Sequence, residues 1–136
     1  MRYETDDLRI RAMKQLISPE DLIRLYPLTD AISATVHHTR HAIRDILHDQ
    51  DDRLLAVVGP CSVHDVNAAR DYAERLLPIR DRLNKELLIV MRVYFEKPRT
   101  TVGWKGLIND PHLDGSFEIN EGLKLARSLL VDINGL

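Results

Sequence analysis

Basic side chains crowd into the stretch between residues 92 and 105. Four cations and three aromatic residues stand there with a single carboxylate: Arg92, Lys97, Arg99 and Lys105; Tyr94, Phe95 and Trp104; Glu96. Arginine binds two oxygens of a phosphate or carboxylate at once, and lysine adds a point charge. The stretch therefore predicts an anion site. A solvated basic loop would have the same composition, because Arg and Lys are mostly surface residues.

The single cysteine, Cys61, is the second residue with obvious chemical potential. Two interpretations are open from its residue type. A free cysteine is often a small buried apolar side chain. Near clustered cations it is instead stabilised as a thiolate, which can ligate a soft metal. One cysteine cannot form an internal disulfide, so a cytoplasmic location fits best.

Both candidates follow an apolar run of strand length, Leu54–Val58 before Cys61 and Leu87–Met91 before Arg92. Neither run alternates polar with apolar residues, which is typical of parallel strands covered on both faces. A helical pattern lies between them, and a right-handed crossover would place the two strands side by side. Cys61 and Arg92 should then share the carboxyl edge, where function gathers in open sheets and in barrels alike.

Caps and breakers predict four helices around these strands. The first helix should start at Ser18 and Pro19 and stop at Pro27, and the second should start at Thr29 or Asp30 and run to about Leu47. Asp65 should cap the third helix, which Pro78 should end or kink. Ser116 or Asn120 should cap the last helix, and Asn134 and Gly135 should close it.

His37, His38 and His41 fall on the polar face of the second helix. His37 and His41 are four residues apart and could share a metal. The Glu of a zinc-protease motif is missing, and Arg40 and Arg44 would repel a cation. Exposed histidines are the favoured interpretation.

The totals describe an ordinary globular chain with 44% hydrophobic and 29% charged residues. A formal net charge of -2 argues against general nucleic-acid binding. No apolar run approaches the ~20 residues that a membrane span needs. We expect no nucleic-acid and no membrane partner.

Three segments resemble the microbial 3-deoxy-D-arabino-heptulosonate 7-phosphate (DAHP) synthases, type I alpha. They are GPCSVHD at 59–65, MRVYFEKPRT at 91–100 and VGWKGLINDP at 102–111, and the likeness runs essentially from residue 1 to 136. It implies an α/β fold, a partial (β/α)8 TIM barrel with an amino-terminal helical extension. Residues 1–50 would be an oligomerisation and regulatory arm with its helices. Residues 51–136 would be the first βαβα part of a truncated barrel holding two strands, since a closed barrel takes ~250 residues.

The resemblance also implies the reaction, a condensation of phosphoenolpyruvate with erythrose 4-phosphate that opens the shikimate pathway. It makes Cys61 one ligand of a divalent metal ion, Mn, Fe, Co or Zn. It assigns Arg92 to phosphoenolpyruvate and Lys97 to a position between both substrates, as a candidate proton donor to the aldehyde oxygen. Arg99 and Thr100 would bind the phosphate of erythrose 4-phosphate, and Lys97 and Pro98 would also be substrate-binding residues.

The amino-terminal residues Asp6, Asp7 and Ile10 resemble the arm of the phenylalanine-sensitive isoform. Feedback inhibition by an aromatic amino acid and a homo-oligomer of the full-length enzyme are implied. The family's other metal ligands lie on later strands, so we expect the 136-residue chain alone to be inactive. Two alternatives stay open: a short regulatory or assembly partner of a full synthase, and a related octulosonate phosphate synthase.

Overall fold

The computed structural model describes residues 9–10, 12–97 and 102–136. Within them the chain is an α/β structure of two strands and four helices. The elements in order are α1 (Pro19–Leu25), α2 (Asp30–Leu47), β1 (Leu54–Val58), α3 (Val66–Arg82), β2 (Leu87–Met91) and α4 (Ile119–Asn134).

The strands β1 and β2 pair in parallel, from Leu54 opposite Leu87 to Val58 opposite Met91. Their bounds and their direction are confirmed as predicted. The cover on both faces that is typical of such apolar strands is incomplete for β1 within the described residues, where Leu54 is 70% and Val57 61% exposed. Helices α2 and α3 contact the two strands, and no described element covers these two side chains. An exposed strand of this kind tends to associate with other chains.

The predicted caps hold for the first three helices. The Ser18 hydroxyl accepts from the Asp21 amide at 3.1 Å, and the Thr29 hydroxyl accepts from the Ile32 amide at 3.2 Å. The Asp65 carboxylate accepts from the amides of residues 67 and 68 at 2.8 and 3.1 Å. Each cap satisfies amide groups that have no partner inside the helix.

The predicted cap of α4 is wrong. Neither Ser116 nor Asn120 caps α4, which begins after Glu118 without a side-chain cap. Pro78 is predicted to end or kink α3; it does not end the helix, which continues to Arg82. Proline removes the hydrogen bond to the carbonyl of Glu74. Both residues are exposed, so water can replace that donor.

A small core lies between α3, α4 and the segments that follow the two strands. Its buried members are Val63, Ala69, Leu107 and Leu129. Val63 comes from the segment after β1 and Leu107 from the segment after β2. The core therefore holds the two segments that carry the candidate site. Burial of the Val63 and Leu107 side chains contributes about 1.5–3 kcal/mol each.

The segment before α1 is attached to the start of α4 by Asn120. Its side-chain carbonyl accepts from the Ile17 amide at 2.8 Å, and its side-chain amide donates to the Gln15 carbonyl at 2.9 Å. Lys14 adds an ion pair with Glu118 at 2.8 Å. The polar side chain expected to cap a helix instead binds an extended segment about a hundred residues away in sequence.

None of the described helices has the length and apolar character needed to cross a membrane.

A candidate anion site at the carboxyl edge of the strands

The segments that follow β1 and β2 meet at one edge of the sheet, as predicted. The Val63 amide donates to the Tyr94 carbonyl at 2.7 Å, and the Ser62 hydroxyl donates to the Glu96 carbonyl at 3.2 Å. Val63 is also a core residue. The chain after Cys61 and the chain after Arg92 are therefore held against each other by hydrogen bonds and by burial.

Gly59 allows the two strand ends to approach closely. It has a φ of 146°, a backbone conformation that side chains rarely adopt. A Cβ atom at this position would collide with the main-chain carbonyl of Arg92. The Arg92 amide donates to the Val58 carbonyl at 2.6 Å, which extends the ladder beyond β2. The main chain of Arg92 is thus fixed by the turn after β1.

Arg92 is exposed and its guanidinium lies over an aromatic ring. The guanidinium carbon is 5.0 Å from the centroid of the Tyr94 ring, a cation–π arrangement. Among the described residues no carboxylate forms an ion pair with Arg92. Its N–H donors are available to an anion from solution.

The aromatic residues divide between this site and the core. Phe95 and Trp104 are half-buried and pack against the core, so they do not line the anion site that the sequence predicted. Tyr94 is the aromatic residue that contacts a site cation. An extended chain alternates its side chains between two faces, and Val93 and Phe95 take the core face here.

After Tyr94, residues 95–97 pair with residues 105–107, and these two segments are here called the first and second arms. Glu96 and Gly106 form an antiparallel bridge, the Lys97 amide donates to the Lys105 carbonyl at 3.1 Å, and the Leu107 amide donates to the Phe95 carbonyl at 2.8 Å. Lys97 is half-buried on the first arm. The predicted site residues Pro98, Arg99 and Thr100 lie outside the described residues.

Asp110 organises the second arm, a role that the sequence did not reveal. It is 6% exposed, and its carboxylate accepts from the Gly115 amide at 3.2 and 3.1 Å. Its main-chain carbonyl accepts from the Trp104 indole at 2.7 Å. The sequence signalled only a turn at Asn109-Asp110-Pro111. A local Asx turn would bond an amide two residues on, whereas this bond reaches five residues on, so no local pattern in the sequence signals it.

Cys61 is exposed, so its interpretation as a buried apolar side chain is wrong. Its thiol stands where β1 has ended, one residue before the hydrogen bond from Ser62 to the chain after β2. In the part of the chain that the structure describes, no three His, Cys, Asp or Glu side chains cluster as a metal site would require. A thiolate suits a soft or borderline divalent ion, so these residues fit one ligand and not a complete coordination shell.

The electrostatics near Cys61 include one perturbed carboxyl. Backbone hydrogen bonds from Ala68 and Asn67 lower the pKa of Asp65 below its ordinary 3.8, and nearby His64 lowers it further. The cap at the start of α3 is therefore ionised at neutral pH. The three histidines of α2 are exposed, as predicted, and the rings of His37 and His41 lie 4.1 Å apart.

The predicted regulatory residues are only partly within the described chain. Ile10 is 52% exposed, while Asp6 and Asp7 lie outside the described residues. The attachment of residues 14–17 to α4 is what the structure adds to this part of the chain.

Parallel strands followed by a thiol and an arginine at one edge define an α/β fold, the class in which ligands bind beyond the carboxyl ends of the strands. The chain belongs to the DAHP synthetase I family, whose model matches residues 27–132. The resemblance found in the sequence is thereby confirmed.

Individual relatives agree with this assignment. The chain is 61% identical over 134 residues to the Phe-sensitive phospho-2-dehydro-3-deoxyheptonate aldolase of Escherichia coli, covering 98% of this chain. It is 50% identical over 132 residues, or 97% of its length, to the Trp-sensitive enzyme of the same organism. A solved structure of the aldolase from Francisella tularensis superposes with a TM-score of 0.90 at 52% identity, covering 93% of this chain.

The chain spans only part of these relatives. It covers 38% of each Escherichia coli protein and 37% of the Francisella tularensis chain.

Proposed function

We propose that this chain forms the amino-terminal part of a DAHP synthase, which condenses phosphoenolpyruvate with erythrose 4-phosphate in the first step of aromatic amino acid biosynthesis. The observation that carries the proposal is Arg92, an exposed arginine without an ion pair among the described residues, fixed where β2 ends. Family membership supplies the reaction for which such an anion site is needed.

The two strands are proposed as the first two of a (β/α)8 barrel, with residues 1–50 as the extension and 51–136 as the βαβα start. Parallel pairing of neighbouring strands through α3 supports this arrangement. So does the exposure of Leu54 and Val57, apolar side chains that a closed barrel would cover.

Arg92 binds the negatively charged oxygens of phosphoenolpyruvate in this proposal. Carbon 3 of phosphoenolpyruvate forms the carbon–carbon bond with the aldehyde carbon, which leaves an alkoxide, and the Lys97 ammonium donates a proton to that oxygen. Water adds at carbon 2 of phosphoenolpyruvate, and inorganic phosphate leaves. Half-burial of Lys97 supports this role, because a partly desolvated ammonium has a stronger electrostatic effect than a fully hydrated one. Arg99 and Thr100 bind the phosphate of erythrose 4-phosphate, and Pro98 is part of the same substrate site.

A divalent metal ion, Mn, Fe, Co or Zn, is part of the proposal, with Cys61 as one ligand. When bound, the ion supplies Lewis acidity at the aldehyde oxygen. Cys61 is suited to ligation because its thiol is exposed at the same edge as Arg92. The described residues provide no complete site, so we propose that residues 1–136 alone do not turn over.

Regulation by an aromatic amino acid is proposed for the amino-terminal arm, through Asp6, Asp7 and Ile10, in a homo-oligomer of the full-length enzyme. The Phe-sensitive and Trp-sensitive names of the two Escherichia coli relatives support this type of control. The attachment of the adjoining segment to α4 gives the arm a fixed starting point.

The proposed activity is tested with the longest natural chain that contains this sequence. Phosphoenolpyruvate consumption is followed with Mn(II) and either erythrose 4-phosphate or arabinose 5-phosphate. We expect consumption with erythrose 4-phosphate only. Consumption with arabinose 5-phosphate alone would assign the protein to octulosonate chemistry, and steady turnover by residues 1–136 in isolation would contradict the proposed incompleteness.

A further inference from the structure

We infer that Tyr94 is a positioning residue for Arg92, and that its ring sets the affinity of the site for a carboxylate- or phosphate-bearing ligand. The inference rests on the proposed function in that phosphoenolpyruvate serves as the ligand. Tyr94 is not among the residues proposed to bind substrate, metal or inhibitor. The contacts that support a positioning role for it all lie at this edge of the sheet.

The main chain places Tyr94 at the junction of the two strand ends. Its carbonyl accepts from the Val63 amide at 2.7 Å, and Val63 is 2% exposed. Its neighbours Val93 and Phe95 pack against the core. The backbone of Tyr94 is therefore held on both sides. Contact with the ring of Tyr94 in turn restricts the conformations of the Arg92 side chain.

The ring acts on Arg92 without competing for its hydrogen bonds. The guanidinium carbon lies 5.0 Å from the ring centroid. Attraction to the face of a ring is electrostatic and uses no acceptor oxygen, so the contact does not pair the N–H groups of the guanidinium with a carboxylate or carbonyl. Those groups form the fork that binds two oxygens of a carboxylate or phosphate.

Pre-positioning affects affinity because a free arginine side chain loses rotamer freedom when it binds an anion. A side chain already held over a ring loses less. A carboxylate in the place of Tyr94 would also hold the guanidinium, but it would occupy the N–H groups that the ligand needs. An aromatic ring is therefore the type of neighbour that orders Arg92 and keeps it available.

The test compares Tyr94→Leu and Tyr94→Met, which remove the ring, with Tyr94→Phe, which keeps it. Tyr72→Leu is the matched control, since Tyr72 is 39% exposed on α3, away from this edge. All variants are made in the longest natural chain. Calorimetry gives the dissociation constant for phosphoenolpyruvate, and kinetics with erythrose 4-phosphate give kcat and KM.

We expect Tyr94→Leu and Tyr94→Met to raise the dissociation constant about two- to fivefold, the factor for a cation–π contact at an exposed site. KM for phosphoenolpyruvate should rise by the same factor with kcat nearly unchanged. Tyr94→Phe and Tyr72→Leu should keep the wild-type dissociation constant. If Tyr94→Leu fails to fold, Tyr94→Met provides the comparison.

Equal dissociation constants in the wild type and the ring-less variants would overturn the inference. Equal weakening by Tyr94→Phe and Tyr94→Leu would overturn it too, because the hydroxyl and not the ring face would then be responsible. Failure of the proposed function has a different signature, since it removes turnover of the wild-type protein with erythrose 4-phosphate.

Discussion

Replacing Gly59 with alanine tests whether close contact between the two strand ends holds Arg92 in place. The added Cβ atom would lie 3.1 Å from the Arg92 nitrogen and 3.3 Å from its carbonyl carbon, and it would collide with the carbonyl oxygen. These are backbone atoms, so no change of rotamer relieves the contact. The main chains of the turn and of Arg92 must move apart.

The expected loss has two parts. A residue other than glycine at a φ of 146° costs about 1–3 kcal/mol. Forcing an extra carbon into a packed position costs roughly 1–3 kcal/mol more. We expect Gly59→Ala to lower the free energy of unfolding by about 2–6 kcal/mol.

Gly115→Ala is the matched control. Gly115 also has a positive φ, 74°, but its added Cβ atom meets nothing within 4 Å. Only the conformational cost applies, about 1 kcal/mol. Urea unfolding of both variants in the longest natural chain gives the comparison, and the dissociation constant for phosphoenolpyruvate should rise in Gly59→Ala alone. Equal stability losses, or unchanged ligand affinity in Gly59→Ala, would refute the argument that this contact positions Arg92.

Three further outcomes are expected. Hydrogen bonds hold the pKa of Asp65 below 3.8, so its ionised cap stabilises the protein above that pH, and this stabilisation is lost as the pH falls through the lowered pKa. Asp65→Asn should remove this part of the acid sensitivity in an acid-unfolding curve. An acid-unfolding curve equal to that of the wild type would contradict this expectation. Asn120→Ala removes the hydrogen bonds to Gln15 and Ile17, so trypsin should cleave faster after Lys14, whereas a rate equal to the wild type would show that these bonds do not hold the segment. Cys61→Ala should lower the amount of bound Mn(II), measured by elemental analysis, while the melting temperatures of the metal-free variant and wild type should be equal because the side chain is exposed; full metal content would exclude Cys61 as a ligand.

Local chemistry explains what the sequence predicted correctly. The five-residue apolar runs became β1 and β2 with the predicted bounds. Asp65 capped α3 because an N-cap depends only on amide groups two and three residues away. The meeting of the segments after β1 and β2 followed from the parallel arrangement, which fixes both strand ends at one edge.

The failures depend on partners that are distant in sequence. Asn120 has the residue type of a cap, but it binds the segment before α1 instead. Asp110 has the residue type of a turn, yet burial makes it an organising carboxylate. The exposure of Leu54 depends on which elements cover β1, and an apolar pattern states only that a cover is favoured.

Arg92, directly after β2, is proposed to bind an anionic substrate. The most direct measurement is the dissociation constant for phosphoenolpyruvate in the longest natural chain, compared between the wild type and Arg92→Ala. Arg40→Ala, an exposed arginine on α2, serves as the control. Loss of a charge-assisted hydrogen-bonded pair is worth about 1.5–3 kcal/mol, so we predict at least about a tenfold weakening in Arg92→Ala and no change in Arg40→Ala. Equal affinity in Arg92→Ala and the wild type would contradict the claim.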